Sequence, residues 1–328
     1  MKSLAALVAL LGIVGCQAST GSAVVRQAHH DTTGQRATID NSAQHATTGH
    51  DNTGQHATTA HSAANVISVV TTFSTLNSFV EGVGGARVRV QNLVPIGASP
   101  EDYQPAPQDI ATLSQAQLIV ENGLGIETWL QQTIQSTGNR NARVLVLSNG
   151  MPHVIDHNPH LWMDPAFARA YVRRIQGELS EIDPVHRNEY SRNAANYDKK
   201  LMQLQQSIAQ QIAAIPQSHR AMIIFHNAFD YYNRRFGIRT VGVVELSPGQ
   251  DPNPSYVAHL VDLARKNGVR AVFSEPEYSP KLAQTLAKSA GIQTVANLYD
   301  DSVGNDPRVG DYISMLRYDT GVIVQALK

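Results

Sequence analysis

Val66-Ile67-Ser68-Val69-Val70-Thr71 is an apolar, β-branched run, and the segment Phe73–Glu81 behind it has helical spacing. A short apolar run of this kind, followed by an amphipathic segment, is typical of a buried strand and its covering helix. Gly82, Gly84 and Gly85 end the predicted helix. The same strand-then-helix alternation recurs along the chain and predicts an α/β fold with parallel sheets covered by helices.

The alternation falls into two similar halves separated by a long helical stretch. Asp164–Glu181 has helical spacing, and Asp183-Pro184 begins a second helix that we expect to run to about Ile215. We therefore predict an N-terminal α/β lobe over residues 65–181, a linking helix over 182–215 and a C-terminal α/β lobe over 216–328. The remaining predicted strands are 88–94, 118–121, 143–147, 221–225, 240–245, 269–274 and 293–297.

Composition excludes several classes of function. The chain has 26 Lys and Arg against 27 Asp and Glu, so it carries no basic field that would hold nucleic acid. Its only cysteine is Cys16, which excludes a disulfide framework and a thiolate metal cage. We expect a monomeric protein whose partners are not nucleic acids.

The first residues are typical of an export signal. Lys2 precedes an apolar run, Leu4–Val14, which is too short for a stable membrane anchor. The run ends Ile13-Val14-Gly15-Cys16, which resembles the lipobox of bacterial lipoproteins. We therefore predict that residues 1–15 are a signal peptide and that Cys16 is lipidated, so that the protein is anchored outside the cytoplasmic membrane.

Residues 16–64 are predicted to be a disordered tether. The segment is rich in Ala, Thr, Ser, Gly, Gln and Asn, lacks aromatic residues and repeats itself, so it cannot bury enough apolar surface to order. Two interpretations stay open. The tether can be a spacer alone, or its histidines can also collect metal ions weakly. These histidines are His29, His30, His45, His50, His56 and His61.

Ligand sites of parallel sheets lie at the carboxyl ends of the strands, and polar side chains follow four of the predicted strands. One of these loops contains His160, which is held in Asn158-Pro159-His160-Leu161-Trp162-Met163-Asp164-Pro165 just before a helix start. Two of the loops belong to each half, so imidazoles and carboxylates are expected to converge on one divalent cation between the lobes. The other candidates are Glu101 and Asp102, His157, His226, and Asp300 and Asp301.

From Val66 to Lys328 the chain resembles the metal-specific solute-binding lipoproteins of bacterial ABC importers for zinc, manganese or iron. The resemblance implies two α/β lobes spanned by one long helix, an ion bound between them with little movement, and delivery to an ABC permease. The stretches that carry it are Leu93–Pro105, Glu121–Glu127, Asn158–Trp162, Phe225–Phe229, Phe273–Pro276 and Asp300–Ser302.

The resemblance implies that His160, His226 and Asp301 are metal ligands, with Asp301 preferred to Asp300 because Ser302 follows it. The family usually has histidine after Asp-Pro in the first loop, where this chain has Ser99-Pro100-Glu101. We predict that Glu101 replaces that histidine as a ligand. The alternative is that Glu101 faces water and a solvent molecule completes the shell.

Two imidazoles and two carboxylates suit zinc, manganese or ferrous iron. Histidine at position 226, where manganese-type relatives tend to carry a carboxylate, and the histidines of the tether favour zinc, with manganese next. Because imidazole must be neutral to bind a metal, affinity is expected to fall below roughly pH 6. Glu245 and Glu275 are candidates for hydrogen bonding to a ligand imidazole, and His153 and His157 for the entrance. His186, His219 and His259 are predicted to be solvated.

A metallohydrolase and a surface adhesin are the two alternatives to a transport receptor. A zinc hydrolase needs an open metal position and a general base, but the chain has no His-Glu-x-x-His helix and four ligands would leave no position open. A surface adhesin with a structural metal is the second alternative. It predicts that replacing His160 by Ala unfolds the protein, whereas a transport receptor would stay folded. We therefore expect a binding protein and not an enzyme.

Overall fold

The computed structural model describes residues 66–246, 249–250, 252–295 and 297–328. The predicted signal peptide, Cys16 and the histidine-bearing tether lie outside the described residues. Within the described ranges, no helix combines the length and apolar character needed to span a bilayer.

The first sheet is built from four parallel strands in the order β2-β1-β3-β4. Val69 in the centre of β1 pairs with Val90 on one side and Leu118 on the other, so β1 is covered on both edges. Its strands are β1 (Ile67–Thr71), β2 (Val88–Asn92), β3 (Leu118–Glu121) and β4 (Arg143–Val146), and its helices are α1 (Ser74–Gly84), α2 (Pro107–Ser114) and α3 (Leu130–Thr137).

The second sheet repeats this topology, with four parallel strands in the order β6-β5-β7-β8. All four residues of β5 are buried, as expected for a central strand covered on both faces. Its strands are β5 (Ala221–Ile224), β6 (Arg239–Val243), β7 (Ala271–Phe273) and β8 (Gln293–Val295), and its helices are α6 (Asp230–Phe236), α7 (Pro254–Lys266) and α8 (Lys281–Ala290). The prediction of two similar α/β lobes is confirmed.

Three helices join the lobes: α4 (Pro165–Ile182), α5 (Arg187–Ala213) and α9 (Tyr312–Leu327). The long helix begins later than predicted because Pro184–His186 first forms a separate 3-10 turn. With 27 residues, α5 is roughly 40 Å long at about 1.5 Å per residue. Its buried side chains belong to one apolar cluster that also contains residues of α1 and α9, so a continuous core runs through both lobes.

One predicted helix begins five residues later than expected. The sequence after the strand 118–121 predicts a helix near Gly125–Ser136. The helix starts only at Leu130, because the carboxylate of Glu127 accepts hydrogen bonds from the backbone N–H groups of Asn122 and Gly123. The backbone between them is left-handed at Gly123, Leu124 and Gly125. A helix cannot continue through residues in that conformation.

Candidate metal centre

The structure brings all four predicted ligands together between the lobes. Glu101 lies between β2 and α2, His160 between β4 and α4, His226 two residues after β5, and Asp301 between β8 and α9. The Nε2 atom of His160 is 3.2 Å from Nε2 of His226. It is also 3.5 Å from Oδ1 of Asp301 and 3.7 Å from Oε1 of Glu101.

The orientation of the His160 ring is set by Asn158. Oδ1 of Asn158 accepts a hydrogen bond from the backbone N–H of His160 and lies 2.9 Å from its Nδ1. The ring is nearly fully buried, and it packs against Trp162 in the 3-10 turn Leu161–Met163. With Nδ1 as the donor, the Nε2 lone pair is left to face the cleft.

His226 is held in the same way by a carboxylate. Its Nδ1 lies 2.5 Å from Oε2 of Glu275, so this nitrogen donates and Nε2 is the ring nitrogen that faces the cleft. The two Nε2 atoms of His160 and His226 therefore point at each other across 3.2 Å. Two lone pairs at this distance repel unless a proton or a cation lies between them, so the pair of imidazoles is arranged to share one.

Asp301 supplies a buried negative charge to the same point. It is 1% exposed, and neither carboxylate oxygen has a hydrogen-bond partner among the described residues. Its backbone is fixed from the other lobe, because Thr75 Oγ1 at the start of α1 donates to the carbonyls of both Asp300 and Asp301. An unpaired buried carboxylate is costly in free energy, and a bound cation would compensate it.

Asp300 has a different environment from its neighbour. Its Oδ1 accepts a hydrogen bond from the backbone N–H of Asp301, and its Oδ2 lies 3.8 Å from Nδ1 of His226. Asp300 therefore lies behind the His226 ring, on the side away from His160. This geometry favours Asp301 as the residue that faces both imidazoles.

Glu101 is the most exposed of the four, with a side chain that is 16% exposed. Its loop is fixed by the indole N–H of Trp129, which donates to the carbonyl of Pro100. Ser99 Oγ accepts the backbone N–H of Glu101. The carboxylate is thus held near the mouth of the cleft, within a short movement of the other three side chains.

Burial and mutual charge shift the pKa values of the whole cluster. Burial, reinforced by His226, lowers the pKa of His160 well below its usual value. Burial alone would also lower the pKa of His226, but the carboxylates of Glu275 and Asp300 raise it well above its usual value. Burial raises the pKa of Asp301 well above the ordinary range of a carboxyl group, although His226 opposes the shift. The metal-free cluster therefore retains protons that a cation would displace.

Three of the four proposed ligands open on a cavity of about 250 Å³ between the lobes. The cavity is lined by Glu101, Asp156, His157, Asn158, Pro159, His160, His226, Asn227, Glu245 and Leu246. His157 thus lies on the wall, and it has a left-handed backbone, as do its neighbours His153 and Asp156. The volume suits an ion with a few waters better than an organic ligand.

Of the two carboxylates considered as partners of an imidazole, only Glu275 has that role. The Glu245 carboxylate instead accepts hydrogen bonds from the backbone N–H groups of Gly249 and Gln250. His186 also differs from expectation, because its Nδ1 lies 2.6 Å from Oδ2 of Asp183 and the side chain is partly buried. Its position beside the Asp183-Pro184 helix start allows this local pair.

Sequence reasoning missed Asn158 as the partner of His160. The signal was present, because asparagine lies two residues before the histidine across a proline, and short polar side chains often hydrogen-bond backbone two residues on. Sequence reasoning also missed the hydrogen bond that the indole N–H of Trp162 donates to the carbonyl of Asp300. That contact joins segments 138 residues apart, and no local pattern predicts it.

Comparisons with known proteins show which family this chain resembles over most of its length. The family described as ZnuA, zinc-uptake complex component A, periplasmic, matches residues 69–326. The chain is 31% identical over 271 residues to the manganese-binding lipoprotein MntA of Halalkalibacterium halodurans, covering 80% of this chain and 88% of that protein. It is 32% identical over 270 residues to the iron-binding protein YfeA of Yersinia pestis, covering 80% and 86%.

A solved structure shares the fold as well. The crystal structure of ZnuA superimposes with a TM-score of 0.72 and 29% identity, over 80% of this chain and all of that chain. The names of these relatives are those of metal-binding and metal-uptake proteins, in agreement with the expectation of a binding protein rather than an enzyme.

Proposed function

The chain belongs to the family of ZnuA, the periplasmic component A of zinc uptake, and from that premise we propose that it is the extracytoplasmic receptor of a metal importer. It captures one divalent transition metal between its lobes and delivers it to an ABC permease. The observation that carries the proposal is the 3.2 Å approach of two imidazole Nε2 atoms beside the unpartnered carboxylate of Asp301. Glu101, His160, His226 and Asp301 are the proposed ligands.

Zinc is the proposed ion, with manganese and ferrous iron as the alternatives. Four ligand atoms bonded tetrahedrally at about 2.1 Å lie roughly 3.4 Å from one another. Octahedral neighbours at the same bond length lie roughly 3.0 Å apart. The distances of 3.2, 3.5 and 3.7 Å around Nε2 of His160 are centred near the tetrahedral value. The two imidazoles also favour zinc over harder cations.

Residues 1–64 concern the proposed location of the receptor. Cleavage after residue 15 and lipidation of Cys16 would anchor a monomeric receptor at the outer face of the cytoplasmic membrane, in the periplasm or at the cell surface. The tether is proposed to act as a spacer. If its histidines also collected zinc, the full chain would bind more zinc ions than a variant lacking residues 17–64, which a stoichiometric titration would detect.

Elemental analysis of the purified protein, followed by competitive titration with zinc and manganese, tests the proposed function. We expect one ion per chain and a preference for zinc. His160→Ala should remain folded by circular dichroism and lose that ion. Unfolding of H160A would favour the structural metal of an adhesin, and chelator-sensitive hydrolysis of generic esters or peptides would favour a metallohydrolase.

A further inference from the structure

The two ligand imidazoles have partners of different chemistry. His226 is held by the carboxylate of Glu275, whereas His160 is held by the neutral amide of Asn158. Such outer partners determine which ring nitrogen keeps its proton and how strongly the other binds a metal. Asn158 therefore takes part in the site although it is not one of the proposed ligands.

The orientation of the Asn158 amide is determined by its own contacts. Its Nδ2 donates to the backbone carbonyl of Asn227 at 2.6 Å, and that carbonyl can only accept. Its Oδ1 accepts the backbone N–H of His160 at 2.9 Å, which can only donate. Nδ1 of His160, 2.9 Å from the same oxygen, must then be the protonated nitrogen.

The same asparagine also connects the two lobes. It precedes α4 in the connection from β4, whereas Asn227 follows β5 and is the neighbour of His226. The backbone carbonyl of Asn158 accepts a further bond from the hydroxyl of Tyr231, a fully buried residue of α6, at 2.7 Å. One buried side chain thus contacts one ligand directly and the residue next to the other ligand.

We propose that Asn158 is the positioning residue of the site: through its Oδ1 it fixes His160 as the Nδ1–H tautomer, so that Nε2 of this ring faces His226. This inference rests on the proposed binding of metal by His160. The neutral amide of Asn158 also donates less electron density to the His160 ring than the Glu275 carboxylate donates to the His226 ring.

The tautomer can be measured without any metal. Long-range proton–nitrogen correlation spectra of the metal-free full chain distinguish protonated from unprotonated ring nitrogens, and H160A identifies the signals. We expect His160 of the wild type to be protonated at Nδ1. Asn158→Leu, which removes the acceptor, should give a mixture of tautomers. A wild type protonated at Nε2, or an N158L spectrum like that of the wild type, would overturn the proposal.

Zinc affinity then separates positioning from folding. N158L should bind zinc about 10- to 100-fold more weakly. Asn158→Asp keeps the acceptor for His160 and loses only the donor to Asn227, so it should retain the Nδ1–H tautomer and recover most of the affinity. Wild-type affinity in N158L would contradict the proposal, and so would an N158D variant as weak as N158L.

Asn149→Asp is the matched control, because this exposed residue lies on the same connection and makes the same chemical change away from the cleft. It should leave both the tautomer and the affinity unchanged. Failure of the wild type to bind zinc would refute the proposed function instead, since the spectra of the metal-free protein test the role of Asn158 independently.

Discussion

Replacing Asp301 by asparagine is expected to stabilise the metal-free protein and remove most of its response to metal. Both oxygens of the carboxylate are buried without a partner among the described side chains, and the residue is 1% exposed. A buried polar group without a partner costs about 1–3 kcal/mol when it is neutral, and more when it is charged. Asparagine has nearly the same shape without the charge, so we expect the metal-free variant to be more stable by about 1–3 kcal/mol.

The stability change from D301N and the stabilisation by zinc can be compared as shifts in melting temperature. For a folded body of this size, about 1 kcal/mol corresponds to a change of roughly 2 °C, so metal-free D301N should melt about 2–6 °C above the wild type. Zinc at about 100 times its Kd stabilises the wild type by about 2.7 kcal/mol. If the substitution weakens binding about 1,000-fold, or about 4 kcal/mol, less than about 0.1 kcal/mol of that stabilisation remains.

The assay is thermal unfolding of chelator-treated protein, with and without zinc, at two pH values. Burial raises the pKa of Asp301. A raised pKa in the folded state means that stability falls as pH rises from the unfolded pKa through the folded pKa. The advantage of D301N over the wild type should therefore be larger at pH 8 than at pH 5.

Asp319 provides a matched control in α9. It is also fully buried, its Oδ2 has no partner in the described part of the chain, and burial raises its pKa well above the usual value. Unlike Asp301, it does not belong to the cluster of possible ligand atoms that His160 and His226 form. D319N should therefore keep the whole zinc-induced shift. A full zinc-induced shift in D301N would exclude Asp301 as a ligand, and a lower melting temperature of the metal-free variant would refute the argument from unpaired charge.

Three further predictions follow from the same geometry. Glu101→His should increase the affinity for zinc relative to manganese by about tenfold or more, because a third imidazole suits the softer ion. A competition titration measures the ratio of the two affinities, and an unchanged ratio would count against ligation by residue 101. Zinc affinity should fall as the pH is lowered from 8 to 5, because the raised pKa of His226 means that the ion must displace a proton there. Calorimetry in buffers of different ionisation enthalpy detects the released proton, and a pH-independent affinity would contradict the prediction. Glu127→Gln should destabilise the fold by about 1–3 kcal/mol. Oε1 of Glu127 accepts from Thr72 and Asn122 while Oε2 accepts from Gly123, and an amide cannot accept at both ends. Denaturant unfolding measures the loss of stability, and a wild-type midpoint would refute the prediction.

The sequence alone was sufficient for the fold class and for the candidate ligands. Strand and helix periodicities are local, so the alternating units on either side of α5 could be recognised without any tertiary information. The rule that ligand sites lie at the carboxyl ends of parallel strands then selected the loops with Glu101, His160, His226 and Asp301. The limits of some elements were less accurate. The start of α3 depends on the hydrogen bonds of Glu127, which periodicity does not report.

Only the tertiary structure decided how these side chains meet. The approach of His160 to His226, the amide that orients the first ring and the isolation of the Asp301 carboxylate all depend on how the two sheets pack across α5 and α9. Sequence periodicity specifies which face of an element is buried, but it carries no information about distances between elements far apart in the chain. Those distances are set by the shared apolar core, and they determine whether four polar side chains form one metal site.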